Sequence, residues 1–429
     1  MAEHRRGANL PSIGGFNRTV VLDAVRRSPD GLSRVELASR TGLSAQTVSN
    51  VTRFLIEAGM IVESGTVVAG RGKPRTILRL EPGSRYAVGV HVDPAVVTYV
   101  LLDLAGTVVA SSTTSTPTAD DPSEVVRTIG SAVDGLIADA GVDVDGVLGV
   151  GIASPGPIDV DAGIVVDPPF LPRWRDVPLR DALAEATGYP VLLEKDVTAA
   201  AVGEMFLAGE SSARNFAFVY FGTGFGVGLV VDHEPVRGVG SNAGDAGHIM
   251  VDQRSLAGTP DGSGTRGEVG AAVAPDRLVR IARERGVALS GGGDAAGAVS
   301  PDGPVSSDGS VDAVNRAWDE LAEAIADGDE AATTLAAEAG TVMGDAAVVI
   351  VNLLDIDRVV FGGPFWSRIA SAALPAARAA IVGSPLLVPK HAVDVVESDR
   401  GADVAAVGAA CLVLDAALSP RASGLLIRR

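Results

Sequence analysis

The stretch FAFVYFGTGFGVGLVV, residues 216–231, carries the pattern that decides the fold. Its two apolar runs, residues 216–220 and 227–231, predict two strands, and the glycines between them predict a tight turn. The turn, residues 222–228, is suited to bring backbone N–H groups near an anion. Because glycine-rich hairpins are often only turns, the stretch by itself predicts local structure and leaves the chemistry open.

Elements of the same kinds and order lie on both sides of this stretch. The apolar runs predict a helix over residues 122–140 and strands over residues 86–93, 96–104, 106–110, 147–152 and 358–361. A meander of strands that leads into alternating helices and strands therefore occurs twice. This repetition predicts an α/β fold of two related lobes with a cleft between them.

The charge of the chain is unevenly distributed. The 429 residues have a net charge of −18, which by itself argues against nucleic acid as a partner. Residues 1–81 hold 12 Lys and Arg against 7 Asp and Glu, a net charge of +5, whereas the remainder holds 23 against 46, a net charge of −23. A small basic head therefore precedes a large acidic body.

Local signals in the head predict a helix-turn-helix. Ser33 and Glu36 form a capping box for a helix that ends at Gly42, and Ser44 caps the next helix. Two helices joined by a short turn that contains glycine have this pattern. The predicted inner face of the second of them consists of Val48, Val51 and Leu55, with Phe54 as a further candidate.

The outer face of that helix carries small or hydrogen-bonding side chains and no acid before Glu57. Such a face can enter a major groove, where Gln46 or Asn50 can pair with adenine and Arg53 can reach phosphates. An ordinary three-helix packing unit has the same spacing, and this face is what favours DNA. We predict DNA contacts from Ser44, Gln46, Thr47, Ser49, Asn50 and Arg53.

A basic loop follows the helix. Residues 61–63 and 75–80 predict the two strands of a wing, and the loop between them contains Arg71, Lys73 and, at its end, Arg75. A run of this kind is usually a solvated loop. Directly after a recognition-like helix, it is also suited to a narrow minor groove, whose potential attracts cations. We therefore include these three side chains among the predicted DNA contacts.

The composition changes at the turn-forming pair Pro82-Gly83. We predict a winged helix-turn-helix domain over residues 1–82, the head, and a two-lobe ligand-binding domain over residues 83–429, the body. Lobe 1 is expected over about residues 83–193 plus the C-terminal helix, and lobe 2 over about residues 194–404. Residues 290–310 are rich in Gly, Ser, Asp and Pro, which predicts a flexible insertion.

Cysteine usage and the N-terminal residues indicate a compartment. Cys411 is the one cysteine of the chain, which excludes an intrachain disulfide and a zinc site built from several thiolates. The N-terminal residues lack the apolar core of a signal peptide, and no run reaches the ~18 apolar residues of a membrane span. We expect a cytoplasmic protein without a membrane partner.

Several motifs are typical of a ligand cleft. Gly156 lies in the sequence Ser-Pro-Gly-Pro-Ile-Asp, residues 154–159, and Asp196 opens an alanine-rich helix. A lone Asp at that place is more often only the N-cap of its helix. Residues 242–248 read Asn-Ala-Gly-Asp-Ala-Gly-His, and residues 351–363 include Val-Asn-Leu-Leu-Asp and end in Gly-Gly.

The order of these motifs resembles the ROK family (repressors, open reading frames and kinases), and the head is similar to the winged helix-turn-helix of its repressor branch. The resemblance covers nearly the whole chain apart from residues 290–310. It implies an α/β fold in which an N-terminal winged helix-turn-helix precedes a two-lobe, actin-like ATPase (ribonuclease H-like) sugar-kinase fold. It also implies a sugar site that contains Gly156, Asp196, Asn242, Asp245 and His248.

The chain departs from the kinases of that family at the phosphate-binding turn. In the kinases a first-strand Asp precedes Gly-Gly-Thr, whereas Asp93 here precedes Pro94, and Val97 stands at the Thr position. Pro94 has no N–H to donate. Asp196 stands where the kinases have their catalytic base, but Lys195 replaces the preceding Asn. The resemblance therefore implies a sugar-binding Asp196 without catalysis, and we expect neither ATP binding nor kinase activity.

The family's zinc motif is also altered. The matching segment, residues 261–270, contains no cysteine, and Gly270 replaces a sugar-contacting Glu. Phe170 likewise replaces a polar sugar contact. His248 remains without thiolate partners, and a structural role as a hydrogen-bonded histidine is an equal alternative for it. We predict no structural zinc and no other cofactor.

Together, these patterns predict a sugar-responsive transcriptional regulator, a repressor of carbohydrate-metabolism genes that binds operator DNA and a small carbohydrate or phosphosugar. Helix-turn-helix proteins normally bind DNA as symmetric dimers, so we expect a homodimer or homotetramer. Two alternatives stay open: an active ATP-dependent sugar kinase with a DNA-binding head, and a ligand-independent DNA-binding oligomer.

Overall fold

The computed structural model describes residues 10–67, 74–94, 96–117, 122–168, 171, 174–209, 213–251, 267–289 and 308–418. Predicted features in the remaining segments, including Arg71, Lys73, Phe170 and the insertion at residues 290–310, lie outside the described residues.

The head is a winged helix-turn-helix, as the sequence predicts. Ser33 and Glu36 form the capping box of the second helix, whose end is marked by Gly42 in the left-handed conformation (φ 70°). Strands pair antiparallel in the order β1-β3-β2. The elements are α1 (Leu10–Arg26), β1 (Leu32–Ser33), α2 (Arg34–Thr41), α3 (Ala45–Glu57), β2 (Ile61–Val67) and β3 (Arg75–Leu80).

The inner face of α3 differs from the prediction at one position. Val48, Val51 and Leu55 are buried, but Phe54 is 40% exposed. Phe54 lies at the flank of the apolar stripe, where the Arg18 guanidinium covers its ring at 3.7 Å from the centroid. The cation from α1 thus shields an aromatic ring that the core does not enclose.

Lobe 1 is built on a five-stranded sheet in the order β10-β7-β4-β5-β6. Strands β4, β5 and β6 pair antiparallel, whereas β4, β7 and β10 pair in parallel. Its elements are β4 (Tyr86–Val92), β5 (Val96–Asp103), β6 (Val108–Ser115), α4 (Pro122–Ala140), β7 (Val147–Ser154), β8 (Ile158–Asp159), β9 (Ile164–Val165), α5 (Leu179–Thr187) and β10 (Val191–Lys195).

Lobe 2 repeats that topology, which confirms the predicted duplication. Its sheet has the order β13-β12-β11-β14-β15, with three antiparallel strands followed by two parallel pairings. Its elements are α6 (Asp196–Leu207), β11 (Phe216–Phe221), β12 (Phe225–Val231), β13 (Glu234–Pro235), α7 (Val269–Ala272), α8 (Pro275–Glu284), α9 (Asp308–Ala326), α10 (Glu330–Leu354), β14 (Arg358–Gly362), α11 (Trp366–Val382) and β15 (Asp394–Glu397). The C-terminal helix α12 (Val404–Leu418) packs against strands β4, β5 and β7 of lobe 1.

Helices α6 and α12 lie between the two sheets and share their cores. Glycines make this close packing possible: a Cβ on Gly408 of α12 would lie 2.1 Å from the Ala199 carbonyl oxygen of α6. A Cβ on Gly151 of β7 would likewise lie 1.8 Å from the Ala409 carbonyl oxygen. The outer faces of the sheets are covered by α4 and α5 in lobe 1 and by α7 to α11 in lobe 2.

Two helical segments, Glu330–Leu354 and Gly401–Leu418, are long and apolar enough to cross a membrane by length and composition. In this fold, 67% and 72% of their apolar windows are buried. Their composition is that of core helices, and they provide no independent sign of a membrane span.

The head packs directly on the body. Val21 and Val25 of α1 belong to the same apolar cluster as Cys411 and Leu414 of α12. Arg26 donates from Nη1 to the Phe206 carbonyl oxygen at 2.8 Å, and its guanidinium lies 3.8 Å from the centroid of the Phe206 ring. The C-terminal end of α6 thus contacts the first helix of the head.

Candidate functional site

The outer face of α3 presents a connected set of polar side chains to solvent. Gln46 donates from Nε2 to Asn50 Oδ1 at 3.2 Å, and Arg53 donates from Nη2 to the same oxygen at 2.6 Å. All three residues are exposed, as is Ser49. The i, i+3 and i, i+4 spacings of a helix place two amides and a guanidinium side by side. Such a surface offers hydrogen-bond donors and acceptors without a carboxylate at its centre.

The first turn of α3 is ordered by its own cap. Ser44 Oγ accepts the Thr47 N–H at 3.1 Å and lies 2.9 Å from Thr47 Oγ1. Ser44 is exposed and Thr47 is partly exposed. Both hydroxyls therefore lie at the N-terminal end of α3, where the helix dipole favours an anion such as phosphate.

Strands β2 and β3 form the base of the wing. Register pairs Val67 with Arg75, so the two strands of the wing end there, and Arg75 is exposed. Beside the outer face of α3, Arg34 joins α2 to β2 through Glu63 at 2.8 Å and to α3 through Thr52 at 3.1 Å. This connection fixes α3 relative to the strands that carry the wing.

In the body, two predicted cleft residues are held together. Asn242 accepts the Ile158 N–H through Oδ1 at 2.8 Å and donates from Nδ2 to the Ile158 carbonyl oxygen at 2.7 Å. The same Oδ1 would lie 3.1 Å from a Cβ on Gly156. Asn242, from lobe 2, therefore closes the turn after β7 of lobe 1, and Gly156 leaves room for it.

Asp196 lies at the start of α6, next to this turn. The N-cap of α6 is Lys195, and Asp196 is the first helical residue, so the simple N-cap interpretation of Asp196 is wrong. Strand β10 runs directly into α6, which leaves the cap to the last residue of the strand. Asp196 Oδ1 instead accepts the Val197 N–H at 2.7 Å. Burial raises the pKa of Asp196 to about 6, although this N–H and the Lys195 ammonium oppose the increase.

Lys195 and its neighbours form a group that the sequence did not single out as a site. Lys195 is 8% exposed, and its Nζ donates to the Asn242 carbonyl oxygen at 3.3 Å. Glu194 is ion-paired to Arg237 at 2.5 Å. The position of Lys195 beside Asp196 at a strand end was a usable signal, whereas nothing in the sequence pattern pointed to Arg237.

The glycine-rich turn meets the Asp93 turn across the two lobes. Thr223 donates from Oγ1 to Asp93 Oδ2 at 3.2 Å. Nearby, the buried Tyr220 hydroxyl has no hydrogen-bond partner among the described residues, and burial raises its pKa well above the usual value. Asp196 and Asp93 contribute to that increase through their charge, so both carboxyls lie near this hydroxyl.

Part of the glycine pattern serves packing. A Cβ on Gly226 would lie 2.6 Å from Val197 Cγ1, and one on Gly228 would lie 2.1 Å from the Val197 carbonyl oxygen. These glycines let α6 approach β12. Gly222 and Gly224 lie at the tip of the turn, where the predicted anion-binding role still applies.

Asp245 and His248 are less closely connected to the cleft. Both are exposed, and His248 Nδ1 lies 3.2 Å from Glu268 Oε2. Within the described segments, no hydrogen bond links either residue to Gly156, Asp196 or Asn242. The predicted sugar site thus divides into a joined group and two exposed residues, whose role stays a prediction.

The metal prediction also stays open. The described residues contain no group of three or more His, Cys, Asp or Glu side chains that could hold a metal ion. Most of the segment that corresponds to the zinc motif, residues 252–266, lies outside them. The exposed His248 and the partly buried Glu268 would provide two ligands, fewer than the four of a structural zinc site.

Solved structures resemble the whole chain. A ROK family transcriptional regulator, homologous to the E. coli MLC protein, superposes with a TM-score of 0.71 over 96% of this chain and 98% of that chain, at 23% identity. A ROK family glucokinase from Streptomyces griseus, in complex with glucose and AMPPNP, superposes with a TM-score of 0.61 over 76% of this chain and 98% of that chain, at 26% identity. The first likeness shows the fold, with its head included.

The sequence matches a repressor and two domain patterns. The xylose repressor of Bacillus subtilis (strain 168) is 28% identical over 246 residues, which is 57% of this chain and 63% of the repressor. The chain covers between 54% and 63% of the lengths of the first curated relatives. A winged helix-turn-helix DNA-binding pattern matches residues 21–62, and the ROK family pattern matches residues 87–416. The protein therefore belongs to the ROK family.

Proposed function

We propose that this protein is a DNA-binding transcriptional regulator, a repressor of carbohydrate-metabolism genes whose body senses a small carbohydrate. The observation that carries the proposal is the outer face of α3, where Gln46, Asn50 and Arg53 stand exposed and connected on a winged helix-turn-helix. Amides and guanidinium groups in this arrangement are the side chains that read base edges and phosphates. The xylose repressor among the relatives supports the same function.

The cleft supports the sensing part of the proposal. Gly156, Asp196 and Asn242 offer a small turn, a carboxyl group and an amide within one region between the lobes. Such groups suit the hydroxyls of a sugar, and lobe closure lets a ligand favour one conformation. Because α6 begins at Asp196 and ends against Arg26 of the head, a change at the cleft has a rigid route to the DNA-binding surface.

We also propose that the protein is not a kinase and needs neither ATP nor zinc. In a kinase, the Asp93 turn and the glycine-rich turn would both have to bind phosphates. Here a hydrogen bond between Thr223 and Asp93 joins these two turns, and Pro94 has no N–H to donate to a phosphate. The alternative, an active sugar kinase, is favoured by Asp196, whose pKa of about 6 suits a general base. Sugar-dependent ATP hydrolysis that is lost in Asp196→Asn would establish that alternative.

A symmetric oligomer in the cytoplasm completes the proposal. Helix-turn-helix proteins read two half-sites as dimers, so we propose a homodimer or homotetramer, without a membrane partner. Light scattering of the 43.4 kDa chain is expected to give two or four times that mass. A monomer that still binds DNA tightly would contradict this part.

The test of DNA binding uses fluorescence anisotropy with DNA from upstream of the protein's own gene. Asn50→Ala is expected to cost about tenfold or more in affinity for the preferred sequence and to reduce discrimination against scrambled DNA. Arg75→Ala is expected to weaken binding to both DNAs and to reduce the dependence of affinity on salt.

The matched control for this test is Asn352→Ala, which changes an asparagine in lobe 2 that bonds the Leu386 backbone. Its DNA affinity is expected to equal that of the wild type. Unchanged affinity and discrimination in Asn50→Ala would contradict the assignment of α3 as the recognition helix.

A further inference from the structure

The chain contains only three lysines, at positions 73, 195 and 390, among 35 basic residues. Lys195 is one of the few buried charged residues and lies in the cleft beside Asp196. A lysine ammonium is normally kept in water because its desolvation is costly. Its location inside the cleft therefore requires a physical reason.

The side chain of Lys195 extends from the start of α6 toward the turn after β7. Its Cε would lie 3.2 Å from a Cβ on Gly156, and its Nζ donates to the Asn242 carbonyl oxygen. The ammonium is thus placed between the turn after β7 in lobe 1 and the loop after β13 in lobe 2. These are the two segments that Asn242 also joins.

The Lys195 ammonium has few hydrogen-bond partners. An ammonium has three donors, and within the described part of the chain the Lys195 ammonium makes one hydrogen bond, at 3.3 Å, to a neutral carbonyl. No carboxylate of the described residues forms an ion pair with it. An anionic group on a ligand would add a charge-assisted hydrogen bond to this buried cation.

The neighbouring acids are bonded to other groups. Glu194 pairs with Arg237 through Oε2 and accepts the Lys195 N–H through Oε1. Asp196 turns Oδ1 toward the Val197 N–H at the start of its own helix. The charge of Asp196 interacts with the ammonium, but neither carboxyl group forms an ion pair with it. Two of the three ammonium donors are therefore available to an external anion.

We propose that the effector is an anionic sugar, one that carries a carboxylate or a phosphate, and that the Lys195 ammonium binds this group. The hydroxyls of the same ligand then face Asp196 and the Asn242 turn. This inference rests on the proposed sensing function and narrows it to a ligand class. Lys195 is the residue that determines selection of charged over neutral sugars.

The test measures binding by isothermal titration calorimetry to the full chain. Two matched series are used: glucose with glucuronate and glucose 6-phosphate, and galactose with galacturonate and galactose 6-phosphate. The wild type is expected to bind at least one anionic member about ten- to a hundredfold more tightly than its neutral parent, as a charge-assisted hydrogen bond provides. The acid and phosphate members of each series show which anion fits.

Variants of Lys195 test whether this residue causes the preference for anionic over neutral sugars. Lys195→Asn is expected to remove the preference for anions, and Lys195→Arg to keep most of it because the charge remains. Lys390→Asn, at an exposed lysine in lobe 2, is the matched control and is expected to behave as the wild type. Circular dichroism and effector-free DNA binding report whether each variant is folded.

Three results would overturn the inference: neutral parents that bind as tightly as their anions, a preference that survives in Lys195→Asn, or no binding of any member. If a neutral sugar alters DNA binding at concentrations as low as its anions require, the inference fails and the proposed function stands. If the effector-free protein does not bind DNA, the proposed function fails, whereas the ligand preference is still measured directly.

Discussion

Single residues show where local chemistry was enough and where it was not. The capping box of Ser33 and Glu36 was predictable because both partners lie within one turn of helix. The roles of Asp196 and Lys195 were not, because the N-cap depends on how far β10 extends before α6 begins. The position of Phe54 outside the core was not predictable either, because its ring packs against Arg18, which is 36 positions away in the sequence.

His91 gives a prediction for stability against pH. It lies in β4 with its ring edge-on to Tyr220 of lobe 2, and burial lowers its pKa from 6.5 to about 4. Because the folded pKa lies below the unfolded one, this contribution to stability is complete above pH 6.5 and is lost as the pH falls toward 4. Between pH 7.5 and pH 5 it amounts to roughly 2 kcal/mol.

His91→Phe keeps an aromatic ring at this position but cannot be protonated. Between pH 7.5 and pH 5, its free energy of unfolding is therefore expected to fall by less than that of the wild type. Urea unfolding followed by the fluorescence of the buried Trp174, Trp318 and Trp366 measures the difference. His233→Gln, at an exposed histidine, should keep the wild-type pH dependence. Parallel losses of stability in His91→Phe and the wild type would show that His91 does not carry the effect.

The sequences of helices α6 and α12, taken alone, do not indicate where these helices lie in the fold. Both are apolar over most of their surface, and α12 belongs to the segment Gly401–Leu418, which has the length and composition of a membrane span. Their apolar character has one cause: each is enclosed between the sheets. For an amphipathic helix such as α3, the sequence predicted which face is buried and which is exposed. Helices α6 and α12 have no polar face from which their orientation could be predicted.

The glycine contact between α6 and α12 gives a second prediction. Gly408→Ala places a Cβ within 2.1 Å of the Ala199 carbonyl oxygen, so the helices must separate, at a cost of about 1–3 kcal/mol or more. Gly135→Ala is the matched control, because Gly135 lies in α4 and a Cβ there meets nothing within 4 Å.

The control is expected to be neutral or to gain up to about 1 kcal/mol from helix propensity. Thermal unfolding distinguishes the two variants by the sign of the change in midpoint temperature. Equal midpoints would mean that the packing of α12 on α6 is looser than the backbone distances indicate.

The arrangement of the whole molecule connects the two functions that we propose for it, DNA binding and effector sensing. The head with its net charge of +5 and the body with −23 explain the total of −18, and the acidic body is expected to repel DNA everywhere except at the head. The two parts meet where Arg26 contacts Phe206, at the far end of the helix that begins with Asp196. This contact is where we expect effector binding to reach the head.

Arg26→Lys tests that connection. The lysine keeps the charge near Asp23 but cannot stack its head group on the Phe206 ring as a planar guanidinium does. We expect effector-free DNA affinity to stay close to the wild type. The effector-induced change in affinity, about 5- to 150-fold in typical allosteric proteins, should shrink toward onefold.

Anisotropy titrations with and without effector measure both quantities. Arg214→Lys is the control, since Arg214 is an exposed arginine paired with Asp232 in lobe 2. A full effector response in Arg26→Lys would exclude the stacked contact as the route of coupling.

The sequence by itself determined the helix-turn-helix, the two related lobes, the polar outer face of α3 and the departures at Asp93 and Lys195. These follow from local spacing, strand and helix periodicity, and the order of motifs, which need no knowledge of distant contacts. Only the tertiary structure decided that Gly156, Lys195 and Asn242 meet, that Gly226 and Gly228 serve packing, and that α6 joins the cleft to the head. Each of these depends on the approach of segments far apart in the chain, and that approach is set by how the two sheets enclose α6 and α12.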